Sequence, residues 1–161
     1  ETSEVGSVRL TPPEGISPVA FIPDFELRTA AARAALPATV PHGDASFNVA
    51  RGALLAAVLS GNAQASGGAD LHALLMEATR DRLHQEQRRA AMEPSLALVD
   101  WLRSAGFAAV VSGAGPTVLS LESVGADIRR DAAGAGWRVV PLAVAASGVQ
   151  ITRGSLSKVE F

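Results

Sequence analysis

Phe47, Leu54 and Val58 fall on one stripe of a helix that starts near Asp44 or Ser46 and runs to Ser60, where Gly61-Asn62 ends it. Arg51 sits in the middle of that stripe rather than on the solvated face, four residues after Phe47 and three before Leu54. The alanine- and glycine-rich link Ala63 to Gly68 follows, and Asp70 opens a second helix reaching about His84. A loop from Gln85 to Glu93 leads through Pro94 into a third helix, in which Leu98, Trp101, Leu102 and Ala105 recur at helical spacing until Gly106. Two short apolar runs, Ala108 to Val111 and Val118 to Leu121, flank a glycine-rich turn and predict strands. Ser123 then caps a helix to about Gly134, Trp137 to Ala145 predicts a buried strand, and Val149 to Thr152 a last edge. Upstream, Val5–Leu10 and Val19–Phe25 predict strands separated by Thr11-Pro12-Pro13-Glu14-Gly15, before a short helix from Thr29 to Leu36 that Pro37 stops.

These elements predict an α+β fold: a small ferredoxin-like antiparallel sheet, close to β–α–β–β–α–β, with helices on one face and two extra helices inserted. Residues 1–40 form a strand-rich segment that either finishes a preceding domain or starts this one, 41–152 are the main domain, and 153–161 are a polar tail. With 161 residues and 48% hydrophobic content the chain buries one sizeable core, as one compact domain or as one half of a larger enzyme. Its start at Glu1, directly before a strand and with no charged-then-apolar leader, predicts a C-terminal portion.

A net charge of −2 argues against a nucleic-acid or anionic-membrane surface, and no apolar run is long enough to span a bilayer. The absence of cysteine excludes disulfides, thiolate catalysis and zinc–thiolate sites. His42, His72 and His84 are too scattered to predict a metal centre, so no metal ligand is assigned. A reducing cytoplasm is consistent with this composition. Lys158 is the only lysine, so anions are bound by arginine or by backbone amides.

Three places carry candidate chemistry. Arg51 either meets the anion of a ligand, or packs its alkyl stem while the guanidinium snorkels out or pairs with a local carboxylate such as Asp44, and Asn48 three residues before it sets an amide for a polar ligand or faces solvent. Arg80, His84 and Arg88 recur every four residues with Arg82 displaced, a pattern that elsewhere is mostly a solvated basic face, as assigned to Arg80, Arg82 and Arg89. The turn Ser112-Gly113-Ala114-Gly115-Pro116-Thr117 is either an ordinary hairpin link or an element beside a bound phosphate. Its glycines are needed for backbone shape while Ala114 tolerates serine, and its position between strands predicts that side chains added there leave the core intact.

The turn resembles the third signature of the GHMP kinases, a Ser-Gly-Ser/Ala-Gly-Pro-Thr segment. Two further stretches are similar to the homoserine kinases within that superfamily: Thr39 to Leu55, which contains Pro41-His42-Gly43-Asp44-Ala45 and Phe47-Asn48-Val49-Ala50-Arg51, and Asp81-Arg82-Leu83-His84-Gln85-Glu86-Gln87-Arg88. The three occur in the family's order, over residues 18 to 145. The resemblance implies a GHMP kinase C-terminal domain from an enzyme that phosphorylates the side-chain hydroxyl of L-homoserine with ATP, on the route to threonine. It implies that Arg51 and Arg88 hold the substrate carboxylate with Asn48 nearby, and that Ser112, Gly113, Ala114, Gly115, Pro116 and Thr117 support the phosphate loop. No catalytic residue is assigned to this half, and ATP and Mg2+ belong mainly to an N-terminal half, because the family's Gly-Leu-Gly-Ser-Ser motif is absent. The fragment alone is then inactive, its partners being homoserine and that half, with a homodimer left open. Glu86-Gln87 stands where the family has Pro-Tyr and Glu93 where it tends to have proline, which predicts a less rigid loop around Arg88. The alternatives are another GHMP kinase, of the mevalonate, diphosphomevalonate or cytidyl-methylerythritol type, or a non-catalytic ferredoxin-like ligand-binding or oligomerisation module.

Overall fold

A computed structural model describes residues 10–61 and 70–145. In chain order these form β1 (Val19–Ile22), α1 (Thr29–Ala34), α2 (His42–Leu59), α3 (Leu71–Ala78), a 3-10 segment (Glu86–Ala91), α4 (Glu93–Ser104), β2 (Ala109–Val111), β3 (Val118–Ser120), α5 (Ala126–Gly134) and β4 (Arg138–Pro141). The four strands form one antiparallel sheet in the order β2-β3-β1-β4. Removing α1 to α3 leaves β–α–β–β–α–β with that strand order, which is the expected ferredoxin-like plan, with three inserted helices among the described residues rather than two because the short α1 joins the α2/α3 pair.

The register decides which side chains meet. Phe21 lies opposite Val118, which lies opposite Val111, and Val19 lies opposite Ser120, which lies opposite Ala109. With a two-residue side-chain period, Val19, Phe21, Ala109 and Val118 share one face, and there they meet Leu98, Val99 and Leu102 of α4 and Ala132 of α5. Phe21 and Leu102 are fully buried, each contributing about 1.5–3 kcal/mol relative to an exposed position. A second cluster, Val58 of α2, Leu75 of α3 and Ala108 before β2, fastens the α2/α3 pair to one end of the sheet.

Several boundaries differ from the sequence expectation for local reasons. α2 begins at His42 directly behind Pro41, so neither Asp44 nor Ser46 caps it; Asp44 instead lies in the first turn, where a negative charge suits the helix dipole. α3 stops at Ala78 rather than near His84. There the Thr79 hydroxyl donates to the Leu75 carbonyl at 2.7 Å, and the Asp81 carboxylate draws the N–H groups of Leu83, His84 and Gln85 away from any helical ladder. α5 starts behind Gly125 rather than at Ser123, because Val124 turns into the core. Among the described residues β4 is a four-residue edge strand paired only with β1, not a long buried one; Pro141 has no N–H to extend the ladder, although the Leu142 N–H still reaches the Pro18 carbonyl at 2.8 Å. The candidate strand at Val5–Leu10 up to Arg9, the link Ala63 to Gly68, the edge Val149 to Thr152 and the tail lie outside the described residues.

Candidate functional site

A cleft of about 430 Å³ opens between α2, the segment that follows α3, and the β2 end of the sheet. Asn48 and Arg51 enter it from α2, Asp81, His84, Gln85 and Arg88 from the middle segment, and Val110, Val111 and Gly113 from the sheet side. The sequence candidates Asn48, Arg51, Arg88 and Gly113 therefore meet at one place, although α3 does not extend through Arg80, His84 and Arg88 to present them on one helical face.

Arg51 resolves its place in an apolar stripe in two ways. Its guanidinium stacks over the Phe47 ring, 4.3 Å from the centroid, and pairs with Glu77 of α3. Asp44, the carboxylate nearest in sequence, pairs instead with Arg82 at 3.4 Å. The Arg51 Nε is buried and has no hydrogen-bond partner among the described residues, an unmet donor in the cleft wall.

Arg88 is buried. Its Nε donates to the Ala32 carbonyl of α1 at 3.1 Å and its Nη1 to the Gly113 carbonyl at 3.4 Å. These two bonds tie α1, the 3-10 segment and the glycine turn together, and a guanidinium with five N–H groups retains donors beyond them. Asn48 has both ends of its amide engaged: Nδ2 donates to Asp81 at 2.6 Å and Oδ1 accepts from the Arg82 N–H at 2.9 Å. It lines the cleft while holding the Asp81 loop against α2.

Asp81 is the keystone of that loop. Partial burial pushes its carboxyl up, but the Gln85 N–H, the Asn48 amide and the backbone and ring N–H groups of His84 outweigh this and hold it at about 2, below the usual 3.8. A depressed carboxyl stabilises the fold above its unfolded value and loses that contribution as pH falls through its folded one. Asp81 is therefore expected to contribute about 2 kcal/mol at neutral pH that disappears between about pH 4 and 2. Denaturant melts across that range measure it, and Asp81→Asn, which has no ionised form to lose, flattens the slope.

The glycine turn is braced from behind. The Ser112 N–H donates to the Thr117 carbonyl at 2.8 Å and the Gly115 N–H to the Ser112 carbonyl at 3.0 Å, while the Ser95 hydroxyl of α4 donates to the Pro116 carbonyl at 2.6 Å. Gly113 and Gly115 have φ of +60° and +83°, the left-handed region that favours glycine. Ala114 packs against the cluster of Ala32, Met92 and Leu96, so the turn touches a core cluster, contrary to the expectation that it stands clear.

The basic run is largely neutralised in place. Arg80 pairs with Glu77 at 3.2 Å, and Arg89 pairs with Glu86 at 2.8 Å, with Glu93 at 3.8 Å and with Asp100 at 2.9 Å. Glu86 and Glu93, the two departures from the family's prolines, thus tie the Arg88 segment by exposed ion pairs, each worth about 0.2–1 kcal/mol. Sequence reasoning left Asp81, Gln85 and Arg103 without roles. Gln85 Oε1 accepts from the Val111 N–H at 2.8 Å, and Arg103 donates to Thr79 Oγ1, the Met76 carbonyl and the Ala109 carbonyl, which locks the end of α3 to β2. Only Asp81 had a readable signal, an aspartate placed to accept N–H groups from the next few residues. Among the described residues no group of three or more His, Asp or Glu is arranged to hold a metal ion.

Fold and cleft define a ferredoxin-like α+β domain with two arginines from different elements facing one small-molecule-sized cavity. Residues 54–132 match the family described as GHMP kinases C terminal. The chain belongs to the GHMP kinases and carries the C-terminal domain of that family. It is 43% identical over 146 residues to the homoserine kinase of Streptomyces avermitilis, an alignment covering 90% of this chain and 45% of that protein. It is 44% identical over 143 residues to the homoserine kinase of Corynebacterium kroppenstedtii, covering 88% and 43%. The crystal structure of homoserine kinase from Cytophaga hutchinsonii superposes with a TM-score of 0.65 at 20% identity, over 85% of this chain and 44% of that one, and supports the fold. The chain spans less than half the length of these relatives.

Proposed function

We propose that this chain is the substrate-gripping C-terminal portion of an ATP-dependent homoserine kinase of the cytoplasm, transferring a phosphoryl group to the side-chain hydroxyl of L-homoserine in threonine biosynthesis. The observation that supports this best is the convergence of Arg51 and Arg88 on one cleft, together with the buried, unpartnered Nε of Arg51. Two planar donors from independent elements suit a carboxylate, which accepts bidentately on both oxygens. Asn48 acts by holding the Asp81 loop, and Ser112 to Thr117, braced by Arg88 and Ser95, support the phosphate loop of the rest of the protein.

Mg2+ does not fit the donor set of this cleft, whose polar side chains are mostly cationic or amide and which lies among described residues that offer no acidic cluster, and the Gly-Leu-Gly-Ser-Ser segment with which the family holds ATP does not occur in this sequence. They belong to a partner portion carrying the nucleotide motif. No helix among the described residues is long and apolar enough to cross a membrane.

Residues 1–161 alone are expected to show no ATP turnover, and co-expression with a portion carrying the Gly-Leu-Gly-Ser-Ser motif to restore transfer. A panel of L-homoserine, mevalonate and diphosphomevalonate then reads the substrate. Turnover by the isolated chain, or preference for a substrate other than homoserine, overturns the reading.

A further inference from the structure

Asp81 and His84 form a pair that carboxylate binding leaves without a task. His84 Nδ1 lies 3.1 Å from Asp81 Oδ1, and the Asp81 carboxyl, held at about 2, is ionised and accepts only. Nδ1 is therefore the donor, and in the neutral ring Nε2 carries the lone pair. The side chain is about half exposed, 52%, and lines the cleft.

Every other side-chain acceptor in that cleft is already used. Asp81 takes donors from Asn48, Leu83, His84 and Gln85. Asn48 Oδ1 holds the Arg82 N–H, Gln85 Oε1 the Val111 N–H, and Thr79 Oγ1 the Arg103 guanidinium. The arginines only donate. Among the described residues His84 Nε2 is the one side-chain acceptor in the cleft with no partner.

We propose that His84, oriented by Asp81, accepts a hydrogen bond from the ammonium group of an α-amino-acid substrate, so that the cleft reads both halves of the zwitterion. This rests on Arg51 and Arg88 holding the carboxylate. An amino acid bears its ammonium on the carbon next to the carboxylate, so a carboxylate held by arginines of this cleft keeps the ammonium in the same cleft, which His84 also lines. The hydroxyl has to point away, toward the nucleotide. An ammonium can only donate, and His84 Nε2 is the acceptor that answers it.

Calorimetric titration of the complete kinase at pH 8, above the ordinary imidazole range, tests this with three ligands. These are L-homoserine, 4-hydroxybutanoate, which lacks the ammonium, and L-homoserinol, which lacks the carboxylate. His84→Ala is expected to weaken homoserine and homoserinol about ten-fold or more and to leave 4-hydroxybutanoate unchanged. His84→Gln, which keeps an acceptor, recovers part of the loss. His84→Lys, which sets a cation against the ammonium, binds homoserine more weakly than His84→Ala does. Equal losses for all three ligands, no loss for homoserine, or a lysine variant no worse than alanine overturns the proposal. Arg51→Ala is read separately: if it spares 4-hydroxybutanoate, the carboxylate assignment fails, while homoserinol still reports on His84.

Discussion

Arg51→Ala in the complete kinase is expected to raise the KM for L-homoserine about 10- to 100-fold with little change in the KM for ATP, the loss of a charge-assisted contact worth about 1.5–3 kcal/mol. Arg51 already pairs with Glu77, but that pair engages Nη2 and leaves the buried Nε without a partner among the described residues. Contact with the Phe47 ring, 4.3 Å away, and the pair with Glu77 restrain the group, so the remaining donors are presented with less rotamer entropy to lose. Arg51→Lys is expected to recover only part of the affinity, since an ammonium reproduces neither the fork nor the flat stack. Steady-state kinetics with each substrate varied in turn separate the two KM values. Normal homoserine affinity in a folded Arg51→Ala protein would leave Arg51 as a clamp between α2 and α3. Arg88→Ala is a poorer probe of binding, because its buried bonds to Ala32 and Gly113 make the fold suffer with the site.

Gly115→Val is expected to destabilise the domain by about 2–5 kcal/mol, combining the cost of a β-branched residue at positive φ with overpacking of a core cluster. A Cβ at Gly115 would stand 2.8 Å from Met92 Sδ, 2.9 Å from Met92 Cε and 3.1 Å from Val111 Cγ1. Methionine is flexible, but Met92 is only 1% exposed and has little space to move into. Gly113 supplies the control: its φ is also positive, yet nothing lies within 4 Å of an added Cβ. Gly113→Ala should therefore lose only the backbone term, about 1–2 kcal/mol, and Gly115→Ala clearly more. Denaturant midpoints of the variants measure the difference, and equal losses would refute packing against Met92. A drop in nucleotide affinity at temperatures where Gly115→Val is still folded would add support for the turn as a brace of the phosphate loop.

How far the cleft was legible varies residue by residue. Arg51 stood out because a charge in a 3.6-period apolar stripe is visible in one helix, but its partner did not. Asp44 is seven residues away in sequence and on the same side, yet Glu77 on α3 takes the pair and Asp44 goes to Arg82. Arg80, His84 and Arg88 suggested a helix face at four-residue spacing, and the chain instead breaks at Thr79 and Asp81, where local side-chain bonds outcompete the helical ladder. Gly115 was recognised as a turn glycine, whereas its contact with Met92 depends on where α4 begins relative to β2 and β3.

The sequence by itself determined what depends on neighbours along the chain. The apolar periods set α2 and α4, the paired glycines set the turn between β2 and β3, the alternation of strand and helix set the ferredoxin-like plan, and three ordered motifs pointed to the family. These follow from backbone dihedrals and side-chain periodicity, which act over a few residues. The tertiary structure alone decided which carboxylate neutralises each arginine, that Asn48 is spent on Asp81 and Arg82, that Arg88 is buried against two carbonyls, and that His84 keeps an open acceptor. Ion pairs and hydrogen bonds depend on through-space distance and on the exclusion of water, and the sheet register and the α2/α3 packing bring those groups together from positions up to 56 residues apart.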